Sequence, residues 1–259
     1  MTTTRRSPLV LSLAALAILG VLAAAGGFAY LFLRNAPPPA VGLATPSGSS
    51  APAGTGSAGT GSAAPSSGPA TAAPGTGAGT WTIDTAIGSF TDFSSSFVGY
   101  RVDETFTGNR ANTAVGRTPA VSGTLVLDGS TITSVDVNGD LTQLKSDDDR
   151  RDGQLQRQAI ETSRFPTATF KLTTPIDLGK VPADGQTIDA SATGELTLHG
   201  VTKPVTLPIK ARLAGDVVTV TGATEIVFAD YGIEQPSSFI VLSIEDHGTM
   251  ELQLHFRRG

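Results

Sequence analysis

The chain has 259 residues, with 18 Lys and Arg, 23 Asp and Glu, three His and no Cys, for a formal net charge of −5. Without cysteine there is no disulfide, thiolate metal site, catalytic thiol or lipid-modified cysteine, and without a basic excess there is no electrostatic footprint for nucleic acid. Glycine, proline, serine and alanine concentrate before residue 80, which leaves about 180 residues of ordinary composition, enough for one core burying roughly 70% of its unfolded surface.

Residues 1–8 carry Arg5 and Arg6 and precede an apolar run from Leu9 to Leu33 that holds no charge. At 1.5 Å per residue these roughly 25 residues cross a hydrocarbon core of about 30 Å. The run predicts a single transmembrane signal anchor over 9–33. A signal peptide cleaved near Ala25 is the rival reading, although its apolar region is normally only about 7 to 15 residues. The arginine pair ahead of the span, against the single Arg34 behind it, predicts a cytoplasmic N-terminus and an extracytoplasmic remainder at the cell membrane. Residues 34–79 are rich in Pro, Ala, Gly, Ser and Thr, with no acid or base after Arg34. Such a segment cannot offset its chain entropy by burial and reads as a disordered linker, with a root-mean-square span of roughly 35 to 40 Å.

From residue 80 to 259 the pattern becomes short runs of period two, which marks strands with one buried face. "SFVGYRV" sets Val98, Tyr100 and Val102 against Phe97, Gly99 and Arg101, and "GTLVLDG" carries Leu125 and Leu127 before an Asp-Gly turn. Further runs place Val135 and Val137, Phe170 and Leu172, Leu196 and Leu198, Val205 to Leu213, and Val218, Val220, Ile226 and Phe228 on single faces. The last run, "TMELQLHF", sets Met250, Leu252, Leu254 and Phe256 against Glu251, Gln253 and His255. About eight such strands with Gly-rich turns predict an all-β fold, an antiparallel barrel with one short helix. Gly99, Gly108, Gly123, Gly139, Gly194 and Gly222 interrupt the runs, either to leave room inside the barrel or to relieve curvature around a filled core.

The charged stretch "SDDDRRDG", residues 146–153, invites a metal or catalytic reading. With Gly153 as the glycine of a calcium loop, Asp148 and Asp152 fit but Arg150 and Ala159 fall on ligand positions, so the calcium reading fails. Aspartates beside arginines also lack the apolar setting of a general acid. The run "DGQLQRQAIETSRFP" has Asp152 as a helix N-cap, Leu155, Ala159 and Ile160 at helical spacing and a stop at Pro166. The charged stretch reads as a salt-bridged entry to a short helix, with a ligand head group or partner contact as the sharper alternative. His199, His247 and His255 have no compact ligand spacing, and there is no nucleophile elbow, phosphate loop or dinucleotide fingerprint. No metal, cofactor or catalytic residue is therefore predicted. An enzyme acting on lipid would need a polar pair inside the barrel, for which Arg101, Asp103 and Glu104 are the candidates.

"WTID", "SGTLVLDG", "LKSDDDRRDGQLQ", "RFPTATFKL", "GELTLHGVTKPVTLPIKARL" and "TMELQLHF" stand in the order and spacing of the YceI-like family, which the chain resembles over nearly all of 80–258. The resemblance is to a membrane-anchored, actinobacterial-type member of this polyisoprenoid-binding family. It implies a lipocalin-like barrel, no catalytic machinery, and an apolar cavity for a long-chain isoprenoid lipid or quinone. Combined with alternation, it predicts a cavity lined by Tyr100, Val102, Phe106, Phe170, Leu172, Leu196, Leu198, Phe228, Leu252 and Leu254. A structural or protein-interaction barrel with a filled core is the alternative.

Overall fold

A computed structural model describes residues 37–43, 78–236 and 241–259. The predicted span 9–33 and most of the predicted linker lie outside them. No helix among the described residues is long and apolar enough to cross a membrane. The barrel lies in the compact unit that runs from Ala40 to Gly259.

Its strands, in chain order, are β1 (Gly79–Ile83), β2 (Phe97–Phe106), β3 (Arg110–Thr118), β4 (Val121–Asp128), β5 (Thr131–Asp140), β6 (Thr167–Leu172), β7 (Ile176–Asp177), β8 (Thr187–Leu198), β9 (Val201–Ala214), β10 (Val217–Val227), β11 (Val241–Ile244) and β12 (His247–Arg258). Eight of them pair antiparallel in the order β1-β4-β5-β6-β8-β9-β10-β12, and Trp81 to Ile83 of β1 pair back onto Phe256 to Arg258 of β12 to close a barrel. Closure removes the open edges that a flat sheet would expose. The first half of β12 pairs instead with β2, which carries β3 and β11 beyond the barrel rim.

Alternation explains the core. Trp81, Leu125, Leu127, Val137, Leu254 and Phe256 point inward and pack one end of the barrel solid. Two glycines are required by close approach. A Cβ on Gly194 would stand 2.2 Å from the Lys171 carbonyl oxygen and 2.6 Å from the Phe170 ring, so the ring can approach the neighbouring strand this closely only because the position is bare. A Cβ on Gly139 would meet Val98 at 2.6 Å. Gly108, by contrast, lies in the β2–β3 turn at φ +88° and not within a strand.

The helix differs from its prediction in start and form. It is α1 (Asp149–Gln154), capped by Asp148, whose carboxylate accepts from the Arg150 and Arg151 amides at 2.8 and 3.4 Å. Among several aspartates in a row, the cap is the one in extended conformation just before the helix. Asp152 is instead inside α1 and buried, accepting the Ser146 amide at 2.9 Å and so fixing the turn into the helix. Leu155 to Ala159 then widen into one π-helical turn, with the Ile160 amide donating to the Leu155 carbonyl at 2.8 Å.

The polar face of β12 is also not solvated. Glu251 is 1% and His255 7% exposed, because residues 84–96 fold over this outer wall. Beneath them Glu251 accepts from Arg101 Nε at 2.8 Å and from Arg117 Nε at 2.6 Å, and the Arg117 guanidinium sits 4.4 Å from the ring centres of both Phe93 and Phe97.

Candidate ligand cavity

The other end of the barrel is hollow. Val98, Val137, Phe170, Leu207 and Leu252 belong both to the packed core and to the floor of a cavity of about 740 Å³. That volume lies within the roughly 300 to 1,000 Å³ range of sites that engulf a small ligand. Leu196, Leu198, Ile226 and Met250 form the walls, while Leu141 and Leu144 roof it from the 3-10 turn after β5, and Leu155 and Ile160 from the π-helical turn that follows the helix Asp149–Gln154.

Of the ten predicted lining residues, Tyr100, Val102, Phe106, Phe170, Leu196, Leu198, Phe228 and Leu252 line this cavity. Leu172 and Leu254 do not. Leu254 is 2% exposed within the solid end, and Leu172 packs against the same cluster. Alternation places both on the inward face of their strands, but it carries no information about depth along the barrel.

The three polar candidates separate by strand face. Arg101 and Asp103 lie on the outer wall, Arg101 against Glu251 and Asp103 accepting from the Thr113 hydroxyl at 2.7 Å. Glu104 faces inward beside Val102 and Phe106, lines the cavity and is 7% exposed. Its Oε1 accepts from Asn112 Nδ2 at 2.6 Å across the β2–β3 ladder and from Arg151 Nη2 at 2.9 Å. Arg151 also pairs with Asp147. Burial pulls the Arg151 guanidinium down, but Glu104 and Asp147 outweigh it and hold the group above its ordinary range. The helix is thus latched by an ion pair to the barrel wall, and the polar rim is completed by Asp148, Arg150, Gln154, Gln158, Glu234 and Gln235.

Tyr100 lies across Gly116, where a Cβ would come within 2.3 Å of its ring. The ring lines the cavity, while the hydroxyl is buried with no hydrogen-bond partner among the described residues. Burial pushes this phenol above its ordinary range, opposed by Arg151 and assisted by Asp152 and Glu104, so it stays neutral. Sequence reasoning missed the roof and the Glu104–Arg151 pair as a unit. The period of two in "FVGYRVDETF" does put Glu104 on the face of Tyr100 and Val102, and that was the available signal.

His199 occupies a hairpin turn, at φ +50° with Gly200 at +74°. Its ring bonds Glu161 Oε2 and the Tyr231 carbonyl, each at 3.0 Å, and so joins the two segments that flank the cavity rim. Among the described residues, Glu245, Asp246 and His247 are close enough to share a cation, but they are consecutive in one turn, the two acids are exposed, and Asp246 already bonds His247 at 2.8 Å.

The model for the YceI-like domain matches residues 79–256, which is the whole barrel with its cavity. The chain belongs to the YceI-like family. Among curated YceI-like relatives, a UPF0312 protein of Vibrio parahaemolyticus is 32% identical over 141 residues, 51% of this chain and 71% of that one. A UPF0312 protein of Shewanella denitrificans is 30% identical over 169 residues, 61% and 78% of the two chains. A solved polyisoprenoid binding domain from Saccharophagus degradans, implicated in plant cell wall breakdown, superposes with a TM-score of 0.54 at 20% identity. It covers 70% of this chain and 99% of its own. That likeness is one of fold.

Proposed function

We propose that this YceI-like domain is a non-catalytic lipid carrier, holding a long-chain isoprenoid lipid or quinone in its barrel while tethered to the cell membrane by residues 9–33. The observation that carries the reading is the cavity of about 740 Å³, whose floor, walls and roof are lined mainly by apolar side chains. A filled interaction module would have no use for such a space. Transfer of ten methylene-sized groups from water into it contributes roughly 8 kcal/mol gross. Transfer from a bilayer gains far less, because acyl chains are equally apolar, so extraction depends on shape and proximity. A tether of roughly 35 to 40 Å supplies proximity by raising the local concentration of the domain at the membrane surface.

The polyisoprenoid-binding character of the Saccharophagus domain supports the choice of cargo, and the composition of residues 1–36 supports the anchor. The test is to purify the unit Ala40–Gly259 from a membrane-containing host and identify lipid in an organic extract by mass spectrometry. A stoichiometric isoprenoid is the expected result. A lipid-free protein that also refuses added prenyl lipids would refute the carrier.

A further inference from the structure

Glu104 is the one buried carboxylate among the residues that line the cavity, where Asp148 is half-buried and Glu234 exposed. It is 7% exposed, its neighbours on the same strand face are Val102 and Phe106, and its backbone pairs with Ile244 of β11 at the edge of the sheet. Among the described residues both side-chain hydrogen bonds to it, from Asn112 and from Arg151, fall on Oε1. The other oxygen, Oε2, remains an acceptor on a group that lines the lumen. Arg151, the cation nearest to it, is already divided between Glu104 and Asp147.

We propose that Glu104 sets the head-group specificity of the cavity, selecting a lipid whose head donates a hydrogen bond and carries no negative charge. Long-chain alcohols, phenols and primary amides meet that description. Phosphorylated prenyl lipids do not, and neither do oxidised quinones, which only accept. The inference rests on the lipid-binding reading and narrows it.

A carboxylate can only accept, so an O–H or N–H directed at Oε2 makes a charge-assisted hydrogen bond in a setting of low dielectric. A phosphate in the same place would face Glu104 with its compensating guanidinium already engaged, and Asp148 and Glu234 add two more carboxylates to the lining. The rival anchor for an anion is Arg150, which lines the rim but is exposed to solvent, so that any phosphate there is screened and sits outside the apolar space.

The test uses the full chain and competition against the neutral fluorescent probe N-phenyl-1-naphthylamine. Geranylgeraniol, geranylgeranyl phosphate and the pure hydrocarbon squalene are compared in wild type, Glu104→Gln, Arg151→Gln and Arg150→Ala, each affinity being read relative to squalene in the same variant. That ratio cancels a general loss of folded protein. Wild type is expected to prefer the alcohol over the phosphate by about tenfold or more, the size of one hydrogen bond to a charged group. Glu104→Gln should collapse this preference, and Arg151→Gln, which strips the carboxylate of its counter-charge, should widen it. Equal or better binding of the phosphate in wild type, with the ratio unmoved by Glu104→Gln or abolished by Arg150→Ala, overturns the proposal and leaves the lipid cavity standing. If squalene, alcohol and phosphate all fail to displace the probe, the cavity reading and this proposal fall together.

Discussion

Replacing Glu251 by alanine should destabilise the domain more than any change to its exposed ion pairs. The carboxylate is 1% exposed and accepts from two arginines, at 2.8 Å from Arg101 and 2.6 Å from Arg117. Arg101 is 16% exposed and can rehydrate, whereas Arg117 is 2% exposed beneath Phe93 and Phe97. Its guanidinium reaches water only if residues 84–96 lift. Breaking a buried pair by deleting one partner costs about 3–5 kcal/mol. For a domain of this size each kcal/mol lowers Tm by roughly 2–4 °C, so the expected fall is on the order of 6–20 °C. The inner side of the same wall carries Val98, Tyr100 and Leu252, so cavity occupancy should fall with it. Scanning calorimetry of Glu251→Ala, Arg101→Met and the triple variant Arg101→Met/Arg117→Met/Glu251→Leu provides the comparison. Arg101→Met should cost less than the loss of Glu251, and the triple variant should recover much of the loss because an apolar replacement leaves no buried charge. A Glu251→Ala protein within about 1 kcal/mol of wild type would show that the covering segment does not exclude water, and the reasoning would fail.

A tryptophan at Ala168, on the lumen, should weaken prenyl binding by about tenfold, the equivalent of displacing about two buried methylenes, with little loss of stability; titration with squalene measures it. Gly200→Ala should destabilise by roughly 1–3 kcal/mol, because the position is at φ +74° and a Cβ would meet the Phe165 ring at 2.6 Å; urea denaturation measures that. The bonds from Arg164 and His199 hold the Glu161 carboxyl below the usual range, so its contribution to stability is complete above the unfolded value near 4.3 and is lost as pH falls through the lower folded value. Urea midpoints of Glu161→Gln between pH 5 and pH 3 should therefore decline less steeply than those of wild type.

The barrel was legible because its strands alternate with few errors. A period of two fixes which residues share a face, and in "TMELQLHF" or "FVGYRVDETF" that assignment survives in the structure. The same period is silent on two matters. It does not say where along a strand the packed end stops, which is why Leu252 lines the cavity floor while Leu254, the next residue inward on that face, is sealed in the core. Nor does it say whether the second face meets water, which is why the pattern alone leaves Glu251 and His255 looking solvated although residues 84–96 cover them.

The site shows the same division between what is local and what depends on long-range contact. The apolar lining is repeated on many strands, so an error at one residue barely changes it. The polar end depends on Glu104 of β2 meeting Arg151 of α1, a contact spanning 47 positions of chain. Each half looks ordinary alone, one an acid near the end of a strand, the other an arginine in an acidic run. Joined, they latch the helical roof to the wall and present a carboxylate to the lumen. "SDDDRRDG" is therefore both a helix entry, through Asp148 and Asp152, and part of the cavity rim, through Asp148, Arg150 and Arg151. Neighbouring positions on one helical turn separate those duties, because Arg151 reaches Glu104 on the barrel while Asp152 accepts from Ser146 of its own loop.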